Sequence, residues 1–132
     1  MKYIALTGRI LFSLIFLMSS FNHFSAQTIA YAGSQGVPLA SVLVPLAGVI
    51  ELIGAISIIT GYKAKWGTWL IILFLIPVTF TLHKFWGIPD PMMQQMQMAM
   101  FMKNIALIGG ALLITYFGAG PLSIDARNSK TI

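Results

Sequence analysis

The sequence predicts an all-α integral membrane protein: an antiparallel four-helix bundle with a short interfacial segment between the first two helices. Of its 132 residues, 58% are hydrophobic and only 8% are charged, and the mean hydropathy is +0.87. A soluble domain usually carries about a quarter charged residues, so this composition excludes a water-soluble monomer. The high apolar content and the lack of polar low-complexity tracts also exclude a disordered chain.

The apolar residues fall into four runs, at about 3–24, 39–61, 66–86 and 93–117. A helix needs roughly 20 apolar residues to cross a bilayer, so each run is long enough for one span. The four spans leave room only for short connections. We therefore interpret residues 1–132 as a single membrane domain, in which 118–132 form a cytoplasmic tail.

The first run is interpreted as a span rather than as a cleaved signal peptide. Its apolar core is too long for a signal peptide, and Phe24-Ser25-Ala26 is a poor small-x-small cleavage site. The residues that follow, 25–38, mix small and polar side chains with glycine and proline. This mixture predicts a loop or a short helix that lies in the membrane interface.

The other runs carry internal and terminal markers of membrane helices. Pro45 lies within the second run and should bend it, and Gly61 is a natural C-terminal stop. The third run has Trp66 and Trp86 at its two ends, as expected for an aromatic belt. The fourth run ends at Gly118, in a Gly-Ala-Gly-Pro sequence that stops a helix.

The distribution of cations predicts that both termini are cytoplasmic. With this orientation, six cations lie at or near the cytoplasmic face and only Lys84 lies at the opposite one. The six are Lys2, Arg9, Lys63, Lys65, Arg127 and Lys130. The net charge of +5 is therefore explained by membrane topology, and no nucleic-acid partner is predicted.

Ionisable side chains inside spans are costly to keep there, so they are the candidate functional residues. At 100° per residue, the first helix places its polar side chains on one stripe that should face the bundle interior. On the second helix, Glu51 is flanked by small residues that allow another helix to approach closely. The candidate ligand-binding or buried polar network comprises Arg9, Ser20, His23, Glu51, His83, Lys103 and Asn104.

A rise of about 1.5 Å per residue places Glu51 in depth between Arg9 and Lys103. We therefore predict that Glu51 pairs with Arg9, with Lys103 or with both, and that His23 and His83 form a second polar layer. One interpretation is structural, since buried ion pairs fix helix register. The other is a polar cavity in the outer half of the bundle that binds an anionic or carbonyl-bearing lipidic ligand such as a quinone.

Two cofactor hypotheses have weaker support. His23 and His83 lie at similar depth, as haem ligation by two histidines requires, but histidines beside aromatic residues at helix ends are typical of a membrane interface. The methionines around Met92 and Met96 could bind Cu(I), but a methionine-rich helix start is more often soft apolar packing. No catalytic triad, phosphate loop or carboxylate pair occurs, and the chain has no cysteine for thiol chemistry.

Several stretches, in their order and spacing, resemble the DoxX-like family of small four-helix bacterial membrane proteins. They include Gly8-Arg9-Ile10-Leu11, Phe21-Asn22-His23-Phe24, Glu51-Leu52-Ile53-Gly54, His83-Lys84-Phe85-Trp86, the segment 101–110 that contains Lys103 and Asn104, and the segment 118–125. The resemblance covers nearly the whole chain. Five of its positions are also candidates from the helix faces: Arg9, Glu51, His83, Lys103 and Asn104.

The resemblance implies a four-span protein of the bacterial plasma (inner) membrane with an association with membrane redox systems. It therefore suggests an accessory subunit of a quinone-linked system, without a catalytic constellation of its own. The alternatives are a non-enzymatic structural or assembly subunit of a larger membrane complex, or a small lipid-binding or transport protein. The expected partners are the lipid bilayer and either other membrane subunits or further copies of this chain.

Overall fold

The structure is a computed structural model that describes residues 1–129; Lys130, one of the cations used to predict orientation, lies outside them. Within residues 1–129 all regular structure is helical. The α-helices are α1 (Lys2–Ser20), α2 (Ala26–Ser34), α3 (Ala40–Thr60), α4 (Ala64–Leu82), α5 (Pro91–Phe117) and α6 (Ile124–Asn128). A 3-10 turn, Phe21–Phe24, continues α1.

Four of the helices are long and apolar enough to cross a membrane: α1 with its 3-10 turn, α3, α4 and α5. They correspond to the four predicted runs. The third ends earlier than expected, at Leu82 instead of Trp86. Trp86 packs edge-on against Phe101 of α5, with 6.0 Å between the ring centroids, so this tryptophan belongs to an aromatic cluster beyond the helix.

Local sequence accounts for the helix ends. Asp90 accepts hydrogen bonds from the backbone N–H of Met92 and Met93, and Pro91 opens α5, so the first turn of this helix is capped. At the end of α3, Gly61 adopts a φ of +67°, a left-handed conformation that favours glycine. Ser25 caps α2 through the N–H of Thr28, and residues 25–38 thus contain a short helix.

The helix α3 lies at the centre of the packing. It contacts α1, α2 and α4, and α5 packs mainly against α4. Small residues make these contacts close, as predicted: a Cβ on Gly48 would lie 2.6 Å from the Cβ of His23, and one on Gly54 would lie 3.0 Å from the carbonyl oxygen of Gly67. The apolar core between the helices is formed by Phe16, Ala55, Ile58, Ile71, Phe74 and Leu75.

The polar stripe on α1 faces the interior, as the helical spacing predicts. The buried residues of α1 are Arg9, Ser13, Phe16 and Ser20. Most large apolar side chains on the other faces of the long helices are exposed. The chain is therefore polar at selected interior positions and apolar outside, the reverse of a water-soluble bundle.

Candidate functional site

A cavity of about 180 Å³ brings together polar side chains from the 3-10 turn and from α1, α3 and α5, with His83 at the end of α4. Its polar lining consists of Ser19, His23, Glu51, His83, Lys103 and Asn104. Apolar side chains, among them Phe16, Phe74 and Leu107, complete the walls. We call it the Glu51 cavity. It contains five of the seven residues selected from the sequence.

Glu51 is the most deeply buried charged residue of this cavity, with 0% of its surface exposed. The hydroxyl of Ser19 donates a hydrogen bond to its Oε1 atom. Its Oε2 atom lies 3.3 Å from Nδ1 of His23, but it has no hydrogen-bond partner within residues 1–129. One carboxylate oxygen is therefore held by the protein, and the other is left for a further donor.

His23 is oriented by two acceptors on the same side of its ring. Its Nδ1 atom lies 3.1 Å from the backbone carbonyl oxygen of Ser19 and 3.3 Å from Oε2 of Glu51. Since the carbonyl oxygen of Ser19 can only accept, the hydrogen bond to it requires the proton on Nδ1, and Nε2 of a neutral imidazole is then an acceptor. The ring packs edge-on against Phe74, with 5.4 Å between the centroids.

The far side of the cavity is formed by His83 and by polar residues of α5. Nδ1 of His83 lies 2.9 Å from Oε1 of Gln97. Lys103 is half-buried, and its charge interacts with Glu51 across the cavity. Asn104 is only 3% exposed, and its side chain makes no hydrogen bond to the rest of the described chain. The side chain of Asn104 lines the cavity.

The predicted pairing of Glu51 with Arg9 is wrong. Nη2 of Arg9 instead donates a hydrogen bond, 2.6 Å long, to the backbone carbonyl oxygen of Leu122. A long arginine side chain extends toward the nearest polar groups, and for Arg9 the partner is the carbonyl oxygen of Leu122, in the segment after α5. Lys103 makes no ion pair within 4.0 Å of Glu51 either, so among residues 1–129 the contacts of the carboxylate are Ser19 and His23.

Arg9 belongs to a second polar group, which we call the tail cluster: Arg9, Gly61, Leu122, Ser123 and Asp125. The N–H of Asp125 donates to the carbonyl oxygen of Gly61 at 2.8 Å. The carboxylate of Asp125 accepts hydrogen bonds from Lys63 N, at 2.8 Å, and from Ala64 N, at 3.0 Å. The segment after α5 therefore caps the N-terminus of α4.

Of the other predicted candidates, Ser20 is fully buried but lies outside the lining of the Glu51 cavity. Its hydroxyl donates to the carbonyl oxygen of Leu17, one turn earlier in α1. The sequence reasoning missed Ser19 and Gln97. Ser19 lies four residues before His23, and this i, i+4 spacing is the signal that could have identified it.

An apolar groove of about 360 Å³ lies beside the Glu51 cavity, between α2, α3 and α4. The groove and the cavity share four lining residues: His23, Phe74, Val78 and Leu82. Within residues 1–129, no group of three or more His, Asp or Glu side chains could hold a metal ion.

Four helices of membrane-spanning length around buried polar side chains define a multi-span membrane protein with an internal polar site. The family is shown by comparison with known proteins. Residues 4–84 match the DoxX family model, so the chain belongs to the DoxX family, as the resemblance indicated.

Bacterial relatives match over most of their length. The inner membrane protein YphA of Escherichia coli (strain K12) is 28% identical, over 92% of this chain and 88% of the relative. The inner membrane protein YqjF of the same organism is also 28% identical, over 95% and 92%. The ER-derived vesicles protein ERV29 of Saccharomyces cerevisiae is 34% identical over 60% of this chain, but the match covers only 25% of that relative. No solved structure matches the chain.

Proposed function

We propose that this chain binds the head group of a quinone in the Glu51 cavity, as an accessory subunit of a membrane redox system. The observation that supports the proposal is the cavity lining: Oε2 of Glu51 has no hydrogen-bond partner among residues 1–129, and the amide side chain of Asn104 lines the same cavity. Buried polar groups are nearly always hydrogen-bonded. Unpaired ones that line a cavity are therefore suited to a ligand. The redox role rests on the association that the family resemblance implies.

The lining matches the chemistry of a quinone ring. A quinone offers carbonyl oxygens as acceptors on an apolar ring, and Lys103 and Asn104 supply donors for such oxygens. The reduced form carries hydroxyl groups, for which Glu51 Oε2 is an acceptor. Phe16 and Phe74 offer apolar walls for the ring. The volume of about 180 Å³ is below the about 300–1,000 Å³ of pockets for drug-sized ligands, which favours a compact head group over haem.

We also propose a topology for the whole chain. Residues 1–132 form one membrane domain, an antiparallel bundle in a bacterial inner membrane, with both termini cytoplasmic. The short connections between α3 and α4 and between α4 and α5 and the positive-inside distribution of cations support it. The helix α2 then lies in the outer interface, on the same side as the Glu51 cavity.

The experiment is purification from native membranes followed by extraction and mass spectrometry of bound quinones. Wild-type protein should retain about one quinone per chain. Asn104→Leu keeps the size of the side chain but removes the amide donor, so retention should fall about tenfold, the loss of roughly one hydrogen bond. Its matched control is Thr115→Val, which also removes a polar group from α5 but lies at the contact with Thr68 of α4.

The control should retain as much quinone as the wild type. Wild-type protein that carries no quinone, and that shows no affinity for added quinone in bilayers, would refute the proposal. If Asn104→Leu and the wild type retain equal amounts of quinone, the Glu51 cavity is not the quinone-binding site.

The large exposed surface of α5 favours a second candidate function, that of a structural subunit. This helix packs mainly against α4, and only 11% of its most apolar window is buried. Since the chain has no cysteine, a single Met96→Cys substitution gives a clean crosslinking site on α5. A partner subunit or a second copy should be captured there in native membranes, and not from Leu73→Cys, an exposed position on α4.

A further inference from the structure

We infer that the apolar groove between α2, α3 and α4 holds the tail of the ligand whose head group occupies the Glu51 cavity. The ligand is thus a single-tailed amphiphile that enters from the bilayer. This inference rests on the proposed function and deepens it, because it assigns the groove, the entry side and the class of ligand.

The groove and the cavity adjoin along a common wall. His23, Phe74, Val78 and Leu82 line both of them. The imidazole of His23 is held on its Glu51 side by Ser19 and Glu51, and its ring edge meets Phe74. A ligand that spans this wall places its polar end beside Glu51 and its other end in the groove.

The chemistry of the groove is that of an apolar chain. It contains no acidic side chain and no lysine or arginine, and its walls are aliphatic apart from a few residues. The two threonine hydroxyls in its lining are already bonded: Thr81 donates to the carbonyl oxygen of Pro77, and Thr28 bonds to Ser25. Apart from His23, which also lines the Glu51 cavity, the polar side chains of the groove therefore have their hydrogen bonds within the described chain.

The groove also reaches the apolar surface of the protein. Three of its lining residues, Leu43, Leu46 and Leu73, are 40%, 49% and 60% exposed. These exposed leucines would face acyl chains, so a tail can enter laterally without crossing water. The groove, at about 360 Å³, has twice the volume of the cavity, and the two volumes together fall within the about 300–1,000 Å³ of ligand pockets.

The test uses two probes with the same ring: a tail-less dimethoxy-methyl-benzoquinone and its isoprenoid-tailed derivative. Affinities are measured for protein in phosphatidylcholine nanodiscs. Ala47→Phe places a ring into the groove, whereas Val49→Phe adds the same ring at an exposed position of α3 that does not line it. Because all variants experience the same bilayer, differences between them are independent of how the probes partition into lipid.

The wild type and Val49→Phe should bind the tailed probe at least about tenfold more tightly than Ala47→Phe does, since a ring in the groove displaces the tail and removes its packing contacts. Ala47→Phe should thus lose the advantage of the tailed probe, whereas all three proteins should bind the tail-less probe with the same affinity. If Ala47→Phe fails to fold, Thr81→Phe blocks the opposite wall from an exposed position.

The outcomes separate the inference from the proposed function. If both blocking variants keep the advantage of the tailed probe, the groove does not hold the tail, while quinone binding in the cavity stands. If neither probe binds wild-type protein, the proposed function fails and the inference fails with it.

Discussion

The Glu51 cavity and the tail cluster both bury a charged side chain, but they satisfy it in different ways. In the tail cluster, Arg9 is bonded to a backbone carbonyl oxygen, and Asp125 accepts from two backbone N–H groups. In the cavity, the side chain of Ser19 donates a hydrogen bond to Glu51, whereas its Oε2 atom lies 3.3 Å from His23 without a hydrogen bond among residues 1–129. Backbone partners fix the position of a chain segment. In the cavity, by contrast, Oε2 of Glu51 remains able to accept a hydrogen bond from a ligand.

Unpartnered atoms alone do not distinguish the two regions. Nε and Nη1 of Arg9 also lack hydrogen-bond partners among the described residues. However, Gly61 and Ser123 pack closely around the Arg9 guanidinium, and Arg9 lines neither the cavity nor the groove. Buried polar atoms therefore indicate a binding site only where space for a ligand adjoins them. The tail cluster should therefore control stability, and the cavity should control affinity.

The largest effect on stability is expected from Gly61→Ala. A Cβ there would overlap Arg9 and Ser123, and the φ of +67° disfavours alanine. Strain and overpacking together should lower the free energy of unfolding by about 3 kcal/mol, measured by unfolding in detergent. The control is Gly109→Ala, where the added Cβ meets no atom within 4 Å; it should unfold at or above the wild-type midpoint. Equal midpoints for the two variants would contradict the role of the tail cluster.

The next largest effect on the free energy of unfolding is expected from Asp125→Ala. It removes two charge-assisted hydrogen bonds to the N-terminus of α4, so stability should fall by about 2 kcal/mol. Asp90→Ala, which removes a cap within α5 only, should cost about 1 kcal/mol. Neither variant should change quinone affinity, as measured in nanodiscs. A loss of affinity in Asp125→Ala alone would show that the two regions are coupled.

In contrast to Gly61→Ala and Asp125→Ala, which lower stability, Glu51→Gln should act mainly on the affinity for the quinol. Glutamine keeps an acceptor for Ser19 and removes a buried charge, so the unfolding free energy should change by less than about 1 kcal/mol. Affinity for the hydroxyl-bearing quinol should fall about tenfold through loss of a charge-assisted hydrogen bond. Titration with reduced and oxidised probes should find the oxidised form little affected. A destabilisation as large as that of Gly61→Ala would mean that Glu51 is structural.

The smallest effect on affinity is expected from Ser19→Ala. It removes the hydrogen bond that holds Oε1 of Glu51, at a cost of about 1 kcal/mol, and should weaken quinol binding about twofold to threefold. Ser20→Ala is the matched control, because its hydroxyl bonds only within α1. Calorimetric titration of both variants gives the comparison. If Ser20→Ala weakens binding more than Ser19→Ala, the assignment of the cavity wall is wrong.

The sequence predicted the four long helices and the polar stripe on α1, because apolar run length and helical spacing depend on neighbouring residues alone. Five of the seven candidate residues also line one cavity. The partner of Arg9 could not be predicted, since it is the backbone of Leu122, 113 residues away. Ser19 was missed because the polar stripe of α1 was placed through Ser20, although the i, i+4 spacing also brings Ser19 next to His23.

The tail cluster also bears on biosynthesis. Residues 122–125 follow all four long helices, yet they supply the cap of α4 and the contact that holds Arg9 of α1. Until residue 125 has left the ribosome, these residues cannot reach the first helix. The bundle can therefore insert span by span, but it closes at this end only after residue 125 has emerged.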